Sequence, residues 1–225
     1  MRKPANNKRK TKILIVDDHP IVREHLGQLI SQQHDLAMCG EADDLPSGIA
    51  SVRNLRPDLV ITDISLKGTY GLDLIKDIKD EFPKLPVLVL SMHDELLFAE
   101  RALRAGAKGY VTKQEATNNI LEAIRQVLQG RVYLNETMGD ALLVKIADGK
   151  PGVVSSPVET LSDRELQIFQ RISRGVSLRQ IADELHISIK TVESHCARIK
   201  DKLDLKDSSE LLQYAIQWAR SSMNQ

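Results

Sequence analysis

Four short apolar runs in the first half of the chain each end in a residue that could take part in chemistry. These residues are Asp17 with Asp18, then Asp63, Ser91 and Lys113. Carboxylates that converge repel one another unless a cation neutralises them, and Mg²⁺ commonly takes one or two carboxylates. A carboxylate can also attack phosphorus and form an acyl phosphate. The residue types therefore indicate a Mg²⁺-dependent phosphoryl site, in which the ammonium and the hydroxyl would bind phosphoryl oxygens.

Alternating strands and helices would bring these residues together. Apolar runs lie near 13–17, 36–41, 58–63, 86–91 and 108–112, and helical patterns lie near 21–32, 45–55, 71–82, 95–105 and 117–129. This alternation predicts a doubly wound α/β fold with a five-stranded parallel sheet, whose strands open at their carboxyl ends on one edge. Only the run at 36–41 ends without a group of this kind.

The strand pattern stops after residue 130. A further helix is predicted at 135–147, within a linker at 131–158 that becomes rich in Gly, Pro and Ser from residue 148. Residues 159–225 contain four helix starts, marked by Ser162, Ser177, Ser188 and Asp207. The sequence therefore predicts a second, all-α domain of four helices.

Composition limits the class of protein. The chain has 225 residues, of which 42% are apolar and 28% charged, and no apolar run approaches the length of a membrane span. Cys39 and Cys196 lie far apart, as expected of reduced thiols in the cytoplasm. Residues 1–12 hold six basic side chains and no acid, so they predict either a disordered, solvated tail or a nucleic-acid contact.

Two groups of motifs resemble known families. VDDHP at 16–20, DLVITD at 58–63, LS at 90–91 and AGAKGYVTK at 105–113 resemble the receiver domain of bacterial two-component response regulators. LSDRE at 161–165 and ISIKTVESH at 187–195 resemble the LuxR-type helix-turn-helix. Together they resemble the NarL/FixJ family, with a flavodoxin-like receiver at 13–130 and a DNA-binding domain at 159–225.

The resemblance implies a role for each receiver residue. By this resemblance Asp63 is the phosphoacceptor, and Lys113 binds the phosphoryl group. Mg²⁺ would be bound by Asp63 together with Asp17, Asp18 and the backbone carbonyl of Ser65. Ser91 and Tyr110 would form the switch pair. Two departures, Lys67 and Gln114, stand where many relatives have proline. Neither removes a chemical group, so they put only loop shape and kinase selectivity in doubt.

A rival function is a phosphohydrolase with Asp63 as its nucleophile. Such enzymes usually need a second acid two residues later, where this chain has Ser65. We therefore expect no enzyme, and at most slow Mg²⁺-dependent autophosphorylation and autodephosphorylation. His19 follows the acidic pair and is expected to be a surface imidazole, because the cluster is otherwise all oxygen.

The helix-turn-helix is predicted at 177–203, with a recognition helix at 189–203. Its inward stripe would be Ile189, Val192, Cys196, Ile199 and Leu203. The predicted DNA-contacting residues are Lys190, Arg198 and Lys202 for phosphates, Glu193, Ser194 and Ala197 for bases, with Thr191 and His195 beside them. Many relatives have lysine at Glu193, so the sequence preference should differ from theirs.

The resemblance also implies partners. We expect a cognate histidine kinase, double-stranded DNA bound as a homodimer, and RNA polymerase as a further candidate, with no membrane. On the last helix the apolar residues are Leu211, Leu212, Tyr214, Ala215 and Trp218, which would either form the dimer surface or close the domain's own core. The alternative function is a receiver-bearing protein whose helical module binds protein or RNA.

Overall fold

The computed structural model describes residues 9–66, 69–92, 96–147 and 157–222. Contacts divide the chain into two compact units, Met1–Asp140 and Ala141–Gln225. Several predictions fall outside the described residues: most of the basic tail, Lys67, and the linker at 148–156. None of the helices in the described ranges has the length and apolar content that a membrane span requires.

The first unit is built on a parallel sheet. Its strands are β1 (Thr11–Val16), β2 (Leu36–Ala42) and β3 (Leu59–Asp63), then a hairpin of β4 (Ser65–Leu66) and β5 (Thr69–Tyr70), then β6 (Val87–Ser91) and β7 (Gly109–Thr112). Five of them pair in parallel in the order β2-β1-β3-β6-β7. The predicted doubly wound sheet is therefore confirmed, and its strand order reverses between β1 and β3, where such folds bind ligands.

Five helices cover the sheet: α1 (Pro20–Ser31), α2 (Leu45–Leu55), α3 (Gly71–Glu81), α4 (Leu96–Ala105) and α5 (Ala116–Leu128). Asp44 and Ser47 form a capping box at the start of α2. Leu72, Ile75 and Ile78 bury the predicted stripe of α3. Because helices lie on both faces, the strands other than the edge strand β2 are mostly buried, as Ile13 to Val16 show at 0% exposure.

A short segment after α5 extends the sheet beyond β7. The backbone N–H of Tyr110 donates to the Tyr133 carbonyl at 2.9 Å, and the N–H of Tyr133 donates to the Lys108 carbonyl at 3.0 Å. Gly109 lies opposite Tyr133, and a Cβ at Gly109 would come within 3.1 Å of the Tyr133 Cβ. Helix α6 (Glu136–Ala147) follows, where the sequence predicts a helix.

The second unit contains four further helices after a 3₁₀ helix at Pro157–Thr160. They are α7 (Asp163–Ser173), α8 (Leu178–Glu184), α9 (Ile189–Leu203) and α10 (Ser208–Ser222). Ser162 and Ser177 both complete capping boxes, and the Ser188 hydroxyl accepts the N–H of Thr191 at 3.0 Å. The predicted all-α helix-turn-helix unit is confirmed.

The structure corrects two local predictions and adds two elements. The first strand begins at Thr11, so two residues assigned to the tail belong to the sheet, where the Lys12 N–H donates to Asp58 at 2.8 Å. The sequence predicts neither the β4–β5 hairpin nor the 3₁₀ helix. Ile189 is 44% exposed rather than inward, because it opens α9 one turn before the helix meets the core.

Candidate functional site: a phosphoryl site and a helix-turn-helix

The carboxyl ends of β1, β3 and β7 bring two carboxylates and an ammonium together. Asp17 and Asp63 are 1% and 2% exposed. The Lys113 Nζ lies 2.7 Å from Asp17 Oδ2 and 2.7 Å from Asp63 Oδ2. The Oδ1 of Asp63 accepts the backbone N–H of Ser65 at 3.2 Å. Residues separated by almost a hundred positions thus form one buried charged cluster.

This burial changes how the cluster holds protons. Burial, with a further contribution from the Asp17 carboxylate, raises the pKa of Asp63 from 3.8 to about 6, although Lys113 opposes the shift. Burial alone would lower the pKa of Lys113, but the Asp63 and Asp17 carboxylates raise it above its ordinary value. At neutral pH Asp63 is therefore ionised beside a fixed cation, which is the state that a nucleophilic carboxylate needs.

The donor set suits a small divalent cation. Asp17 Oδ2 and Asp18 Oδ1 are buried, and each has a single close partner, the Lys113 ammonium and the His19 ring respectively, at 2.7 Å. A hard cation would satisfy both oxygens, since carboxylates are the ligands that Mg²⁺ prefers. One ligand atom from each of Asp17, Asp18, His19 and Asp63 lies within 4.8 Å of the others.

His19 is more closely associated with the acidic cluster than the sequence suggests. Its ring is 58% exposed, as expected of a surface imidazole. However, its Nδ1 lies 2.7 Å from Asp18 Oδ1 and 3.1 Å from Asp17 Oδ1. Its backbone N–H also donates to the Asp17 carboxylate at 2.8 Å. This bond fixes the loop, and thereby keeps the imidazole ring close to the carboxylates. The exclusion of His19 from the ligand set stays a prediction.

The two predicted switch residues are both buried. Ser91 ends β6 at 0% exposure, one residue beyond Leu90, which is paired with Asp63. Its carbonyl accepts the N–H of Lys113 at 2.7 Å. Tyr110 lies in β7 at 1% exposure, so its ring already faces inward. The exposed Gln114 follows the lysine.

We expect the affinity for Mg²⁺ to fall as the pH drops through about 6. Below that pH Asp63 carries a proton, which the cation must displace, and this costs about tenfold in affinity per pH unit. Calorimetric titration of Mg²⁺ into the protein on both sides of pH 6 measures the dependence. Asp63→Asn should bind more weakly and lose this step, and an affinity that is the same at both pH values would contradict the assignment.

The outer face of α9 carries most of the predicted DNA-contacting residues. Lys190, Glu193, Ala197 and Arg198 are exposed. Two other members of the set are partly engaged within the helix. The Thr191 hydroxyl lies 2.7 Å from the Ser188 hydroxyl, and the Ser194 hydroxyl donates to the Lys190 carbonyl at 2.9 Å.

Lys202 lies in an ion pair with α7. Its Nζ is 2.6 Å from Glu165 and 3.1 Å from the Thr160 carbonyl. The Glu165 carboxylate also accepts the Ser162 N–H at 2.7 Å. Burial by itself would raise the pKa of Glu165, but the bonds from Lys202 and Ser162 lower it below its ordinary value. The sequence marks Glu165 only as a capping residue, because no local pattern indicates a partner 37 positions away.

His195 lies close enough to this ion pair for the charge of Glu165 to act on its ring. Its Nδ1 is buried and has no hydrogen-bond partner among the described residues. Burial and the nearby Arg198 lower the pKa of His195, so the ring is neutral at pH 7. Arg164 donates to the Leu185 carbonyl at 3.1 Å, which holds the end of α8. The first turn of α7 therefore supports both helices of the helix-turn-helix.

Helix α10 mainly closes the core of the second unit. Leu211 and Ala215 are 2% and 0% exposed. The rings of Tyr214 and Trp218 lie 6.2 Å and 5.5 Å from the ring of Phe169. Leu212 is 40% exposed. Of the two readings of this helix, the structure supports an internal packing role for most of its apolar residues.

Comparison with known proteins agrees with this architecture. Residues 13–125 match the response regulator receiver domain, and residues 159–215 match the bacterial regulatory proteins of the luxR family. The chain belongs to the response regulators. This response regulator is 35% identical to oxygen regulatory protein NreC of Staphylococcus aureus (strain MRSA252) over 209 residues, which cover 91% of this chain and 96% of NreC. The NreC of Staphylococcus haemolyticus is 34% identical over 209 residues, which again cover 91% of this chain and 96% of NreC.

Solved structures resemble the whole response regulator. RcsB from Salmonella enterica serovar Typhimurium, bound to promoter rprA in the presence of phosphomimetic BeF3-, has 30% sequence identity and a TM-score of 0.62, and the match covers 92% of this chain and 98% of RcsB. A second RcsB structure from Salmonella typhimurium has 28% identity and a TM-score of 0.68, and covers 93% and 98%. The family is one of transcription regulators rather than classical enzymes.

Proposed function

We propose that this response regulator stores a phosphoryl group on Asp63 and thereby controls DNA binding by its second unit. In this proposal 13–130 is the receiver, 131–158 the connection and 159–225 the DNA-binding domain. The observation that carries it is the buried cluster in which Lys113 lies 2.7 Å from both Asp17 and Asp63. The phosphoryl source would be a histidine kinase, the partner that a receiver domain implies.

Asp17, Asp18 and Asp63, with the backbone carbonyl of Ser65, would hold Mg²⁺. When bound, the cation neutralises charge on the carboxylates and on the incoming phosphoryl oxygens. The chain's own residues do the rest. An Asp63 oxygen forms the bond to phosphorus while the bond to the leaving group of the donor breaks, and the Lys113 ammonium binds a phosphoryl oxygen.

The switch pair would respond to this new dianionic group. The Ser91 hydroxyl reorients to donate to a phosphoryl oxygen, and the inward Tyr110 ring is held in the space it leaves. The two states differ by local contacts, so phosphorylation shifts the population between them. Because Ser65 stands where a phosphohydrolase has a second acid, loss of the phosphoryl group from Asp63 would be slow. Autophosphorylation of Asp63 from small phosphoryl donors would also be slow.

The capped amino end of α9 and its exposed cations would contact the DNA backbone. The helix begins after Ser188, whose side chain caps it, and free N–H groups at such an end attract phosphate. Lys190 and Arg198 supply charge, and Glu193, Ser194 and Ala197 face the bases. RcsB, which this chain resembles, has been solved bound to DNA, and this supports DNA as the ligand of the second unit. Residues 156–225 hold ten basic and ten acidic residues, so useful affinity should need a homodimer on two half-sites.

We expect Arg198→Ala and Lys190→Ala each to reduce the salt dependence of DNA binding. Each phosphate contact contributes about 0.9 to the slope of log affinity against log salt. Lys202→Met tests whether Lys202, the third lysine or arginine predicted to contact phosphate, does so. A reduced slope would show a phosphate contact. A lower affinity at an unchanged slope would show that Lys202 acts only through its ion pair with Glu165. A slope unchanged in Arg198→Ala and Lys190→Ala would contradict the proposed face.

Genome-wide footprinting, with and without acetyl phosphate and Mg²⁺, tests the proposed function. The proposal expects discrete protected DNA sites whose occupancy changes on phosphorylation. If the protein protects no DNA but co-purifies with protein or RNA through residues 159–225, the alternative function is correct. The RNA polymerase contact and the cytoplasmic location stay predictions.

A further inference from the structure

One side chain, Asn135, fixes the start of α6. Its Oδ1 accepts the backbone N–H of Met138 at 2.8 Å, the bond of a helix N-cap. Its Nδ2 points away from the helix and donates to both carboxylate oxygens of Glu115, at 3.1 and 3.3 Å. Asn135 therefore joins the first turn of α6 to Glu115, at the end of the loop between β7 and α5.

Glu115 belongs to the loop that carries Lys113. It directly precedes α5, a position from which an acid can cap a helix, yet its carboxylate makes no capping bond to α5. Its backbone N–H donates to the Thr112 carbonyl at 3.1 Å. Lys113, two residues earlier, contacts Asp63. Only one residue thus separates the cation of the phosphoryl site from the residue bound by Asn135.

A second connection reaches α6 from the switch strand. Tyr133, two residues before Asn135, is 9% exposed and hydrogen-bonded to the backbone of Tyr110 on β7 and of Lys108 just before it. The segment from Tyr133 to Asn135 therefore contacts both the strand of the switch aromatic and the loop of the phosphate-binding lysine. These contacts leave the start of α6 little freedom to move independently of the site.

The far end of α6 lies within the second unit and is held there by an ion pair. The Lys145 Nζ lies 3.1 Å from Glu159 Oε1, and the two side chains are only 18% and 19% exposed. Glu159 lies in the 3₁₀ helix that precedes α7. A single helix thus begins at a contact within the first unit and ends at a contact within the second unit.

We propose that Asn135 is a positioning residue that couples the Asp63 site to α6 through Glu115. The inference rests on the proposed function, because it requires a phosphoryl group on Asp63. That group draws the Lys113 ammonium away from the Asp17 and Asp63 carboxylates, and the loop moves with it. The Glu115 carboxylate then carries Asn135 and the first turn of α6, and the helix passes the change to residues beyond it.

Asn135→Asp separates this coupling from helix capping. The new carboxylate caps α6 as well as the amide does, but it cannot donate to Glu115 and repels it. Adding Glu115→Gln supplies an amide that can donate to the new carboxylate and restores the bond with reversed polarity. Thr137→Asp, on the exposed first turn of the same helix, adds an equal charge without reaching Glu115.

The first measurement is the ratio of DNA affinities with and without acetyl phosphate, on a fragment recovered by footprinting. N135D should reduce the ratio about fivefold, E115Q with N135D should restore it, and T137D should match the parent. Intact mass must show equal labelling of all four proteins. A parental ratio in N135D, or no restoration in the double variant, would overturn the coupling.

The second measurement is amide hydrogen exchange of residues 136–139 on labelling, which needs no DNA. Exchange should change in the parent and stay constant in N135D. If the parent is labelled and exchange does not change, the coupling is wrong and the phosphoacceptor assignment stands. If the parent is not labelled, the proposed function fails, and the inference fails with it.

Discussion

Asp63→Asn should abolish stable phosphorylation by acetyl phosphate in the presence of Mg²⁺. The parent should gain the mass of one phosphoryl group, whereas the variant should be labelled more than ~100-fold more slowly, because an amide has no anionic oxygen to attack phosphorus. The loss should be this large because Asp63 is the acid that is both buried and held by Lys113 and the Ser65 N–H. Intact mass spectrometry over time measures it.

Two controls make this result specific. Asp80→Asn removes an exposed carboxylate from α3 and should label like the parent. Asp63→Asn should also be folded and stabilised in Mg²⁺-free buffer. With the pKa raised to about 6, the ionised carboxylate costs roughly 3 kcal/mol above that pH and nothing below its ordinary pKa, so urea unfolding at neutral pH should move to higher urea. Equal labelling of Asp63→Asn and the parent would refute the phosphoacceptor assignment.

Gly71→Ala should damage both the fold and the phosphoryl site. A Cβ at Gly71 would overlap the carbonyl oxygen of Asp63 and lie 2.9 Å from Ile64 Cα. The Gly71 N–H also donates to the Ile64 carbonyl at 2.7 Å, which closes the chain onto the end of β3. The backbone must shift, so we expect a loss of about 3 kcal/mol in the free energy of unfolding. The displaced Asp63 should label at least ~10-fold more slowly.

Gly139→Ala is the matched control, since a Cβ built there meets no described atom within 4 Å apart from its chain neighbours and its own turn of helix. It lies inside α6, where alanine should stabilise by about 0.5–1 kcal/mol. Urea unfolding compares the two variants, and acetyl phosphate labelling compares their sites. Parental unfolding and labelling in Gly71→Ala would show that the close approach of α3 to β3 is unimportant.

The sequence was sufficient for features that depend on a regular period or on a cap. Apolar runs placed all five parallel strands to within two residues, and parallel pairing then required Asp17, Asp63 and Lys113 to share an edge. The serine caps likewise placed α7, α8 and α9. Each of these signals is local, and the topology of the sheet supplies the rest.

Other features depend on contacts that a local pattern does not encode. The strands of the β4–β5 hairpin have two residues each and are too short to show a period. The Lys202–Glu165 and Asn135–Glu115 contacts depend on how distant helices and loops pack. Ile189 fits the helical period, but a period does not show where the core ends along the helix.

The backbone pairing of Tyr133 affects where a truncated receiver domain should end. Without it, β7 would be an outer strand with unpaired N–H and C=O groups, and such a border recruits other chains into continuous sheets. The two bonds of Tyr133, to Tyr110 and to Lys108, occupy part of that border. We therefore expect a receiver fragment that ends at residue 130 to aggregate more readily than one that includes Tyr133.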